Sequence, residues 1–267
     1  MTEKFSYTDI LCYLMPGAYL LTLGIGWWAA IPHQTASSIP LFGEGGVFAS
    51  VVFVILSFLM GNAIQVVAHS LPELFLRRVF WSGWWPSELA LLPKGPCLSE
   101  TERSAVQNAL VKLSLLTAQD VANAPTPTEK WRRWVLKRDA ANKAVAEKGQ
   151  AAFRRGRALL ADCSAGTRAV TAEAYYLFFR ALSVVSALGA VAFLLLSVKA
   201  EWKSWGGLPI EASHVARLPT VLLVILTGLF AWRSRGAAHG FVREVFLSLS
   251  VIAESKVLSG NQNNQTT

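Results

Sequence analysis

The sequence lacks the motifs of the common catalytic classes. It contains no G-x-x-x-x-G-K-[ST], no G-x-S-x-G and no H-E-x-x-H pattern, so no P-loop nucleotide, serine-hydrolase or zinc-protease chemistry is indicated. Its four histidines are scattered, and no pair has the spacing of metal ligands on one helix. The sequence therefore predicts no catalytic residues, no cofactor and no metal site.

Cysteine is also scarce. Cys12, Cys97 and Cys163 are an odd number at unrelated spacings, with no C-x-x-C pair, so we expect neither a disulfide framework nor a zinc site. The first eight residues carry Lys4 against Glu3, and the apolar stretch after them is too long for the h-region of a signal peptide. We expect that stretch to be retained as a helix.

Apolar residues, in contrast, make up 53% of the sequence. Ile10–Ile31 and Val47–Ala68 are each 22 residues without a charged side chain, about 33 Å as helices at ~1.5 Å per residue and enough for a ~30 Å hydrocarbon layer. Ala181–Val198 has 18 uncharged residues, whereas Leu218–Trp232 has 15 and needs a start near Ile210 to span. The sequence thus predicts an all-α integral membrane protein with four transmembrane helices, at about 10–31, 47–68, 177–198 and 212–232.

The segment between the second and third spans has a different composition. Residues 71–174 hold 16 Lys and Arg and ten Asp and Glu, and Ser99 and Glu102 have the spacing of a capping box at the start of a helix. We therefore expect a basic helical cytosolic domain over 70–174, inserted between transmembrane hairpins at 1–69 and 175–234. Residues 235–267 are predicted to hold an amphipathic helix, Phe241–Ala253, that lies along the membrane or covers this domain, and a disordered tail from Gly260.

One long helix is predicted to join that domain to the membrane. It runs from Ala158 to Val198 and enters the bilayer at Arg180, and Gly166 is the position where we expect any bend. Ahead of the domain, Leu71–Trp85 mixes arginines with aromatic residues, which is typical of an amphipathic helix at the headgroup level. A signal from the domain would travel along the long helix into the membrane.

The distribution of positive charge predicts the orientation. The loops at 32–46 and 199–217 hold only Lys199, Lys203 and Arg217, against 16 Lys and Arg in the middle segment and four from Arg233 onward. Because cytoplasmic segments are enriched in Lys and Arg, we expect the middle domain and both termini on the cytoplasmic side of a bacterial-type inner membrane. This bias accounts for most of the net charge of +8 without a polyanionic partner.

Two groups of polar residues at membrane depth are candidate sites. Asn62, Gln65 and His69 fall close to one face of the second span and must face other helices or water, because an unpaired amide in hydrocarbon is costly. We call these three residues the polar stripe.

The second group is a predicted clasp at the cytoplasmic interface. Arg180 is expected to pair with Asp9 or with Glu173, seven residues earlier on its own helix. The alternative is an arginine that extends to a lipid phosphate, and an alternative role for Asp9 is to cap the first helix.

A basic aromatic surface is predicted near residue 134. Cations beside indole rings suit a solvated or lipid-facing helix, specific contact with anionic lipid at the cytoplasmic face, or nucleic acid, in that order of preference. The residues are Lys130, Trp131, Arg132, Arg133, Trp134, Lys137 and Arg138.

Small residues predict where helices approach closely. Gly17 and Gly24 lie seven apart on one face of the first span. The third span has a small-xxx-small face that fits either an internal four-helix bundle or an oligomer, formed by Ser183, Ser186, Ala187 and Ala190.

These features predict a non-enzymatic, oligomeric inner-membrane protein. Its cytosolic domain is expected to bind or sense a cytosolic protein partner, and its membrane part to anchor or gate in a channel-like or effector role. The alternative is a membrane-embedded enzyme that acts on a lipid substrate at His69 and its polar neighbours. A small transporter is the third possibility. It is disfavoured because the sequence lacks the internal repeat with broken helices that such folds use.

Overall fold

The computed structural model describes residues 7–29, 46–80, 85–92, 95–122, 140–161, 163, 166–204 and 211–263. Over these ranges the chain forms helices and turns and no strand. In chain order the helices are α1 (Tyr7–Asp9), a π-helix (Ile10–Leu14), α2 (Met15–Ala29), α3 (Gly46–Phe80), α4 (Pro86–Leu89), α5 (Glu100–Lys112), α6 (Ala118–Ala122), α7 (Ala140–Ala161), α8 (Thr167–Ser204) and α9 (Glu211–Asn263).

Within the described ranges, four helical segments are long and apolar enough to cross a membrane. They are Tyr7–Trp27, Phe48–His69, Thr167–Val198 and Arg217–Ser255. The sequence-based prediction of an all-helical chain with four such helices is confirmed. By length and composition, this is a membrane protein.

The long helix predicted from Ala158 is two helices in the structure. α7 ends at Ala161 and α8 begins at Thr167, and turn hydrogen bonds join Cys163 N–H to the Leu160 carbonyl and Gly166 N–H to the Cys163 carbonyl. A Cβ on residue 166 would lie 2.4 Å from the Leu160 carbonyl oxygen, so this tight turn requires glycine. The break therefore lies at the position where a bend was expected.

Three other predicted boundaries differ because helices continue through them. α3 extends to Phe80, so no separate amphipathic helix begins at Leu71, and α8 extends to Ser204, past the predicted loop start at Lys199. α9 is one helix from Glu211 to Asn263, which joins the fourth span to the predicted amphipathic helix and reaches into the predicted tail. Each added residue brings one more backbone hydrogen bond, so a helix continues until its side chains prevent it.

The chain divides into two units, which we call the apolar unit and the polar unit. The apolar unit comprises Met1–Leu74 and Ala174–Ser234, and the polar unit comprises Phe75–Glu173 and Arg235–Thr267. α3, α8 and α9 each contribute residues to both units as continuous helices.

In the apolar unit α8 is the most enclosed of the four apolar helices. In the apolar stretch of α8, 56% of the residues are buried, against 17–22% in the corresponding stretches of the other three helices. α8 is therefore the central helix of this unit. Its contacts with the first helix advance together along both chains, Tyr19 with Ser186 and then Trp27 with Ala192, so these two helices are parallel.

α9 packs against α8 in the antiparallel direction. Ser183 Oγ donates to the Thr227 carbonyl at 3.3 Å, and a Cβ on Gly189 would lie 3.2 Å from Leu223, so α9 runs opposite to α8. The core of the unit lies along α8 and consists of Ile64, Ala68, Ala181, Val184, Val185, Ala190, Phe193 and Leu223, with Tyr19, Leu20, Leu23, Trp27 and Leu226 packed beside them.

The polar unit has its own core, to which α9 contributes. Phe153 of α7 makes edge-to-face contact with Phe241 at 5.5 Å between centroids, and its ring lies 5.9 Å from that of Phe246. Val245, Phe246 and Leu249 are fully buried. The sequence predicts that Phe241–Ala253 lies either along the membrane or over the cytosolic domain. The described contacts are those of a helix that covers the polar unit.

The predicted capping box at the start of α5 is confirmed. The Ser99 hydroxyl accepts from the Glu102 N–H at 3.3 Å, and the Glu102 carboxylate accepts from the Ser99 N–H at 2.9 Å. Glu102 also accepts from Arg243 Nη2 of α9 at 2.5 Å. One carboxylate thus caps α5 and ties α5 to α9 within the polar unit.

These bonds predict how the polar unit responds to acid. The hydrogen bonds from Arg243 and Ser99 lower the pKa of Glu102 from 4.5 to about 2, and those from Lys148 and Thr117 lower the pKa of Asp120 from 3.8 to about 2. Because each pKa is lower in the folded than in the unfolded state, the stabilisation is complete above about pH 4.5 and is lost as the pH falls towards 2.

We therefore expect the unfolding temperature of the polar unit to fall below about pH 4.5 and to fall less steeply in Glu102→Gln. Thermal unfolding of the full chain in detergent, followed by circular dichroism from pH 2 to 7, measures this. Glu100→Gln, an exposed position on the same helix, is the matched control. Equal pH dependence in Glu102→Gln and wild type would contradict the assignment.

Candidate functional site

Pro16 interrupts the α-helical hydrogen bonding near the start of the first apolar helix. Pro16 has no N–H, so it makes no α-helical hydrogen bond to the carbonyl four residues earlier. The backbone before it is π-wound over Ile10–Leu14, and Met15 N–H donates to the Ile10 carbonyl five residues back. Pro16 itself is fully buried.

Gln65 of α3 donates hydrogen bonds to two other helices of the apolar unit. Its Nε2 lies 2.7 Å from the Cys12 carbonyl oxygen and 3.2 Å from the Leu177 carbonyl oxygen of α8. One side-chain amide therefore bonds two backbone carbonyls on two different helices. In an apolar environment these two bonds satisfy the N–H groups of the Gln65 amide, which would be costly to leave unpaired.

Arg180 completes the cluster from the other end of the same amide. Its Nη2 lies 3.4 Å from Gln65 Oε1, and its guanidinium carbon lies 5.2 Å from the centre of the Tyr176 ring. The side chain is buried, with 4% exposed. We call Cys12, Gln65, Leu177 and Arg180 the Gln65 cluster.

The surroundings of the cluster fix the orientation of the Gln65 amide. Nε2 faces two carbonyl oxygens, which accept, and Oε1 faces a guanidinium, which donates. A flipped amide would place its oxygen against both carbonyls and its N–H groups against a cation. The contacts therefore favour this one orientation of the Gln65 amide.

Further polar contacts join the first helix to α8. Cys12 Sγ donates to the Ala174 carbonyl at 3.7 Å, and the Tyr19 and Ser186 hydroxyls lie 3.2 Å apart. Trp27 Nε1 donates to the Ala192 carbonyl at 3.2 Å. Together with Gln65, these bonds fix the register of two parallel helices.

The polar stripe divides in the structure. Of its three residues, Gln65 bonds other helices, whereas Asn62 Nδ2 donates at 2.9 Å to the Phe58 carbonyl of its own helix. His69 is exposed. The spacing predicts that the three residues lie on one helix face. Which partner each side chain binds depends on the part of the neighbouring helix that lies opposite it.

The predicted clasp is only partly described. Arg180 makes the contacts given above with Gln65 and Tyr176, and Glu173 forms an ion pair with Arg157 inside the polar unit. Asp9 is half-buried in α1. The pairing of Arg180 with Asp9 or Glu173 stays a prediction, as does the alternative contact with lipid phosphate. The structure joins residues from the two predicted groups, because Gln65 of the polar stripe contacts Arg180.

The predicted basic aromatic surface lies outside the described residues. This applies to all of Lys130, Trp131, Arg132, Arg133, Trp134, Lys137 and Arg138. Its role stays a prediction.

Two glycines form a close contact between α2 and α3. A Cβ on Gly17 would lie 1.6 Å from the Ser57 carbonyl oxygen, and one on Gly61 would lie 1.8 Å from the Tyr13 carbonyl oxygen. The backbones of α2 and α3 are therefore in direct contact. The prediction for Gly17 is confirmed, whereas Gly24 has no atom within 4 Å of its Cβ position and makes no such contact.

Gly61 was missed by sequence analysis. The available signal was the small-xxx-small spacing of Ser57 and Gly61 on the second span. The small-residue face of α8 meets helices of the same chain, through Ser183 with Thr227 and Ser186 with Tyr19.

Chemistry that needs metal ligands or reactive thiols is not indicated by the described part of the chain. No group of three or more His, Cys, Asp or Glu lies together there. Cys12 and Cys97 are buried, Cys163 is exposed, and none of the three forms a disulfide. Burial raises the pKa of the Cys97 thiol to about 12, so this thiol stays protonated at neutral pH.

Comparisons of the chain with models of protein families, with characterised proteins and with solved structures give no match.

Proposed function

We propose that this chain is a non-enzymatic, four-span protein of a bacterial-type inner membrane, whose polar unit is cytoplasmic and binds or senses a protein partner. The four spans form two hairpins, 1–69 and 175–234, and act as an oligomeric anchor or gate. The polar unit passes its state to the spans through α8 and α9.

The observation that carries this proposal is the continuity of two helices. α8 and α9 each extend without a break from residues of the polar unit to residues of the apolar unit. A continuous helix has no loop to absorb a displacement, so a change at one end is transmitted along it. α8 is also the central helix of the apolar unit, where it reaches the Gln65 cluster.

The parallel packing of the first helix and α8 supports the proposed topology. Two parallel spans in one bundle start on the same side of the membrane. The N-terminus and the polar segment before α8 then lie on one side, which is the side favoured by positive charge. Antiparallel contact of α2 with α3, and of α8 with α9, fits the two hairpins.

The native cysteines allow a direct test of sidedness. Only Cys163 is exposed, so a membrane-impermeant maleimide is expected to label wild-type protein in inverted vesicles and not in intact cells. Cys163→Ser is the matched control and is expected to abolish labelling. Labelling of Cys163 from outside intact cells would contradict the topology.

Function is tested with purified protein in proteoliposomes. If the spans form a gate, the proteoliposomes are expected to show an ion flux that changes in Gln65→Leu. If the protein is an oligomer, light scattering in detergent is expected to give a mass of at least two chains. A monomer without flux would exclude the gating role, because a single four-helix bundle fills its own centre.

A further inference from the structure

We propose that the exposed face of α7 binds an acidic, amphipathic helix of a cytosolic protein. This face, which we call the α7 face, is formed by Ala144, Ala151, Arg154, Arg155, Ala158 and Leu159. All six residues belong to the polar unit. The proposal rests on the proposed function, since it states the chemistry of the protein partner that the polar unit binds.

The opposite side of α7 packs against other helices of the polar unit. A Cβ on Gly149 would lie 3.3 Å from the Ser87 carbonyl oxygen, and one on Gly156 would lie 2.3 Å from Leu249 Cδ1. Ala152, on the same side, is fully buried. Because α7 is held by these contacts, a partner can bind its exposed face without any rearrangement of the core.

Arg154 and Arg155 give the α7 face its positive charge. Both side chains are exposed, and neither forms an ion pair or a hydrogen bond within the part of the chain that the structure describes. The nearby Arg157, in contrast, forms an ion pair with Glu173. A guanidinium can donate two parallel hydrogen bonds to one carboxylate, so these two arginines fit acidic side chains of another molecule.

Three alanines give the α7 face room for a second helix. Ala144, Ala151 and Ala158 recur every seven residues, which is about two helical turns, so they lie along one line of the exposed surface. Side chains this small let helix axes approach to the short end of the usual ~8–10 Å. Leu159 is 45% exposed and lies one turn after Arg155, which adds an apolar contact beside a charge. The face therefore fits a helix that carries apolar and acidic residues together.

Charge and side-chain size disfavour two other occupants. Residues 71–174 hold 16 Lys and Arg against ten Asp and Glu, so a second copy of this domain would meet the α7 face with like charge. Helices that lie on a membrane carry large apolar residues such as Trp, Phe and Leu on one face, whereas three of the six residues here are alanine. An acidic protein helix fits the α7 face better than either.

The experiment uses the full-length chain in phosphatidylcholine nanodiscs and a fluorescent helical peptide of about 20 residues, with Leu at heptad positions a and d and Glu at e and g. Fluorescence anisotropy measures its affinity. The double variant Arg154→Gln, Arg155→Gln is expected to bind about fivefold more weakly, because each exposed ion pair contributes modestly. Binding to wild type is expected to weaken as salt is raised, and a peptide with Lys in place of each Glu is expected not to bind.

Two further variants make the test specific. Lys112→Gln removes an exposed cation from α5, and its affinity is expected to stay within about twofold of wild type. Ala151→Trp fills the middle of the α7 face and is expected to weaken binding by about tenfold or more, because the peptide can no longer approach closely. All substituted residues are exposed, so the thermal unfolding of each variant is expected to match wild type.

The assignment is overturned if the acidic and basic peptides bind equally, if either α7 variant binds as wild type does, or if Lys112→Gln causes an equal loss. Binding of phosphatidylglycerol vesicles that is lost in the double arginine variant would also overturn it, since the face would then be a lipid surface. The sidedness of Cys163 is measured separately. Cytoplasmic labelling of Cys163 without peptide binding would refute the α7 assignment and leave the proposed function standing, whereas labelling from outside would refute the proposed function.

Discussion

Replacing Gly17 with alanine is expected to destabilise the apolar unit by about 3 kcal/mol or more, the upper end of what overpacking costs. The new Cβ would lie 1.6 Å from the Ser57 carbonyl oxygen and 2.7 Å from the Gly61 nitrogen. These are backbone atoms of a neighbouring helix, so no side-chain rotation relieves the clash. The two helices must separate, which also removes their van der Waals contact.

Gly61→Ala is expected to give the same result from the opposite helix, because its Cβ would lie 1.8 Å from the Tyr13 carbonyl oxygen. The measurement is the fraction of chain that stays monodisperse in detergent as the temperature is raised. Gly24→Ala on the first helix is the matched control and is expected to be neutral or slightly stabilising, since nothing lies within 4 Å and alanine favours helix. Equal stability of Gly17→Ala and Gly24→Ala would contradict the close contact.

Phe246→Ala is expected to destabilise the polar unit by about 3–5 kcal/mol, the usual cost of removing a fully buried phenylalanine. The ring packs beside Phe153, and its loss leaves a cavity between α7 and α9. The N-terminal half of α9 also forms the fourth span. This variant therefore tests whether the fourth span still packs in the membrane when the core around the C-terminal half of α9 is lost.

The control for this substitution is Val251→Ala on the same helix. Val251 is 59% exposed, so its truncation is expected to change stability by no more than about 0.5 kcal/mol. Protection of amide hydrogens in α5 and α7 from exchange measures both variants. If Phe246→Ala left that protection unchanged, the C-terminal half of α9 would not be a core element of the polar unit.

Much of the fold is predictable because hydropathy over a whole helix is a large, additive quantity. Four long uncharged stretches identify the four apolar helices, and the capping box at Ser99 is a local pattern of two side chains. Helix ends are less predictable. Ala-rich sequence after Ala158 favours helix, yet the chain turns at Gly166, where contact with the Leu160 carbonyl leaves no room for a Cβ.

The candidate site is predictable only in part because its bonds join residues far apart in the chain. Periodicity places Asn62 and Gln65 on nearby positions of one helix face, but it does not reveal that Gln65 bonds the Cys12 carbonyl of the first helix. The meeting of Gln65 with Arg180 depends on how α3 packs against α8. The direct contact at Gly61 likewise depends on the shape of the opposite helix.

The order of synthesis gives the contact between α2 and α3 a further consequence. Gly17, Ser57, Gly61 and Tyr13 are all translated before residue 62, so this interface can form while the rest of the chain is still being made. Gln65 finds its Cys12 partner at the same stage, but Leu177 follows 112 residues later. At a translation rate of ~5–20 residues per second, Leu177 is synthesised about 6–22 s after Gln65. The nascent first two spans therefore expose a half-satisfied glutamine until the central helix arrives to complete the bundle.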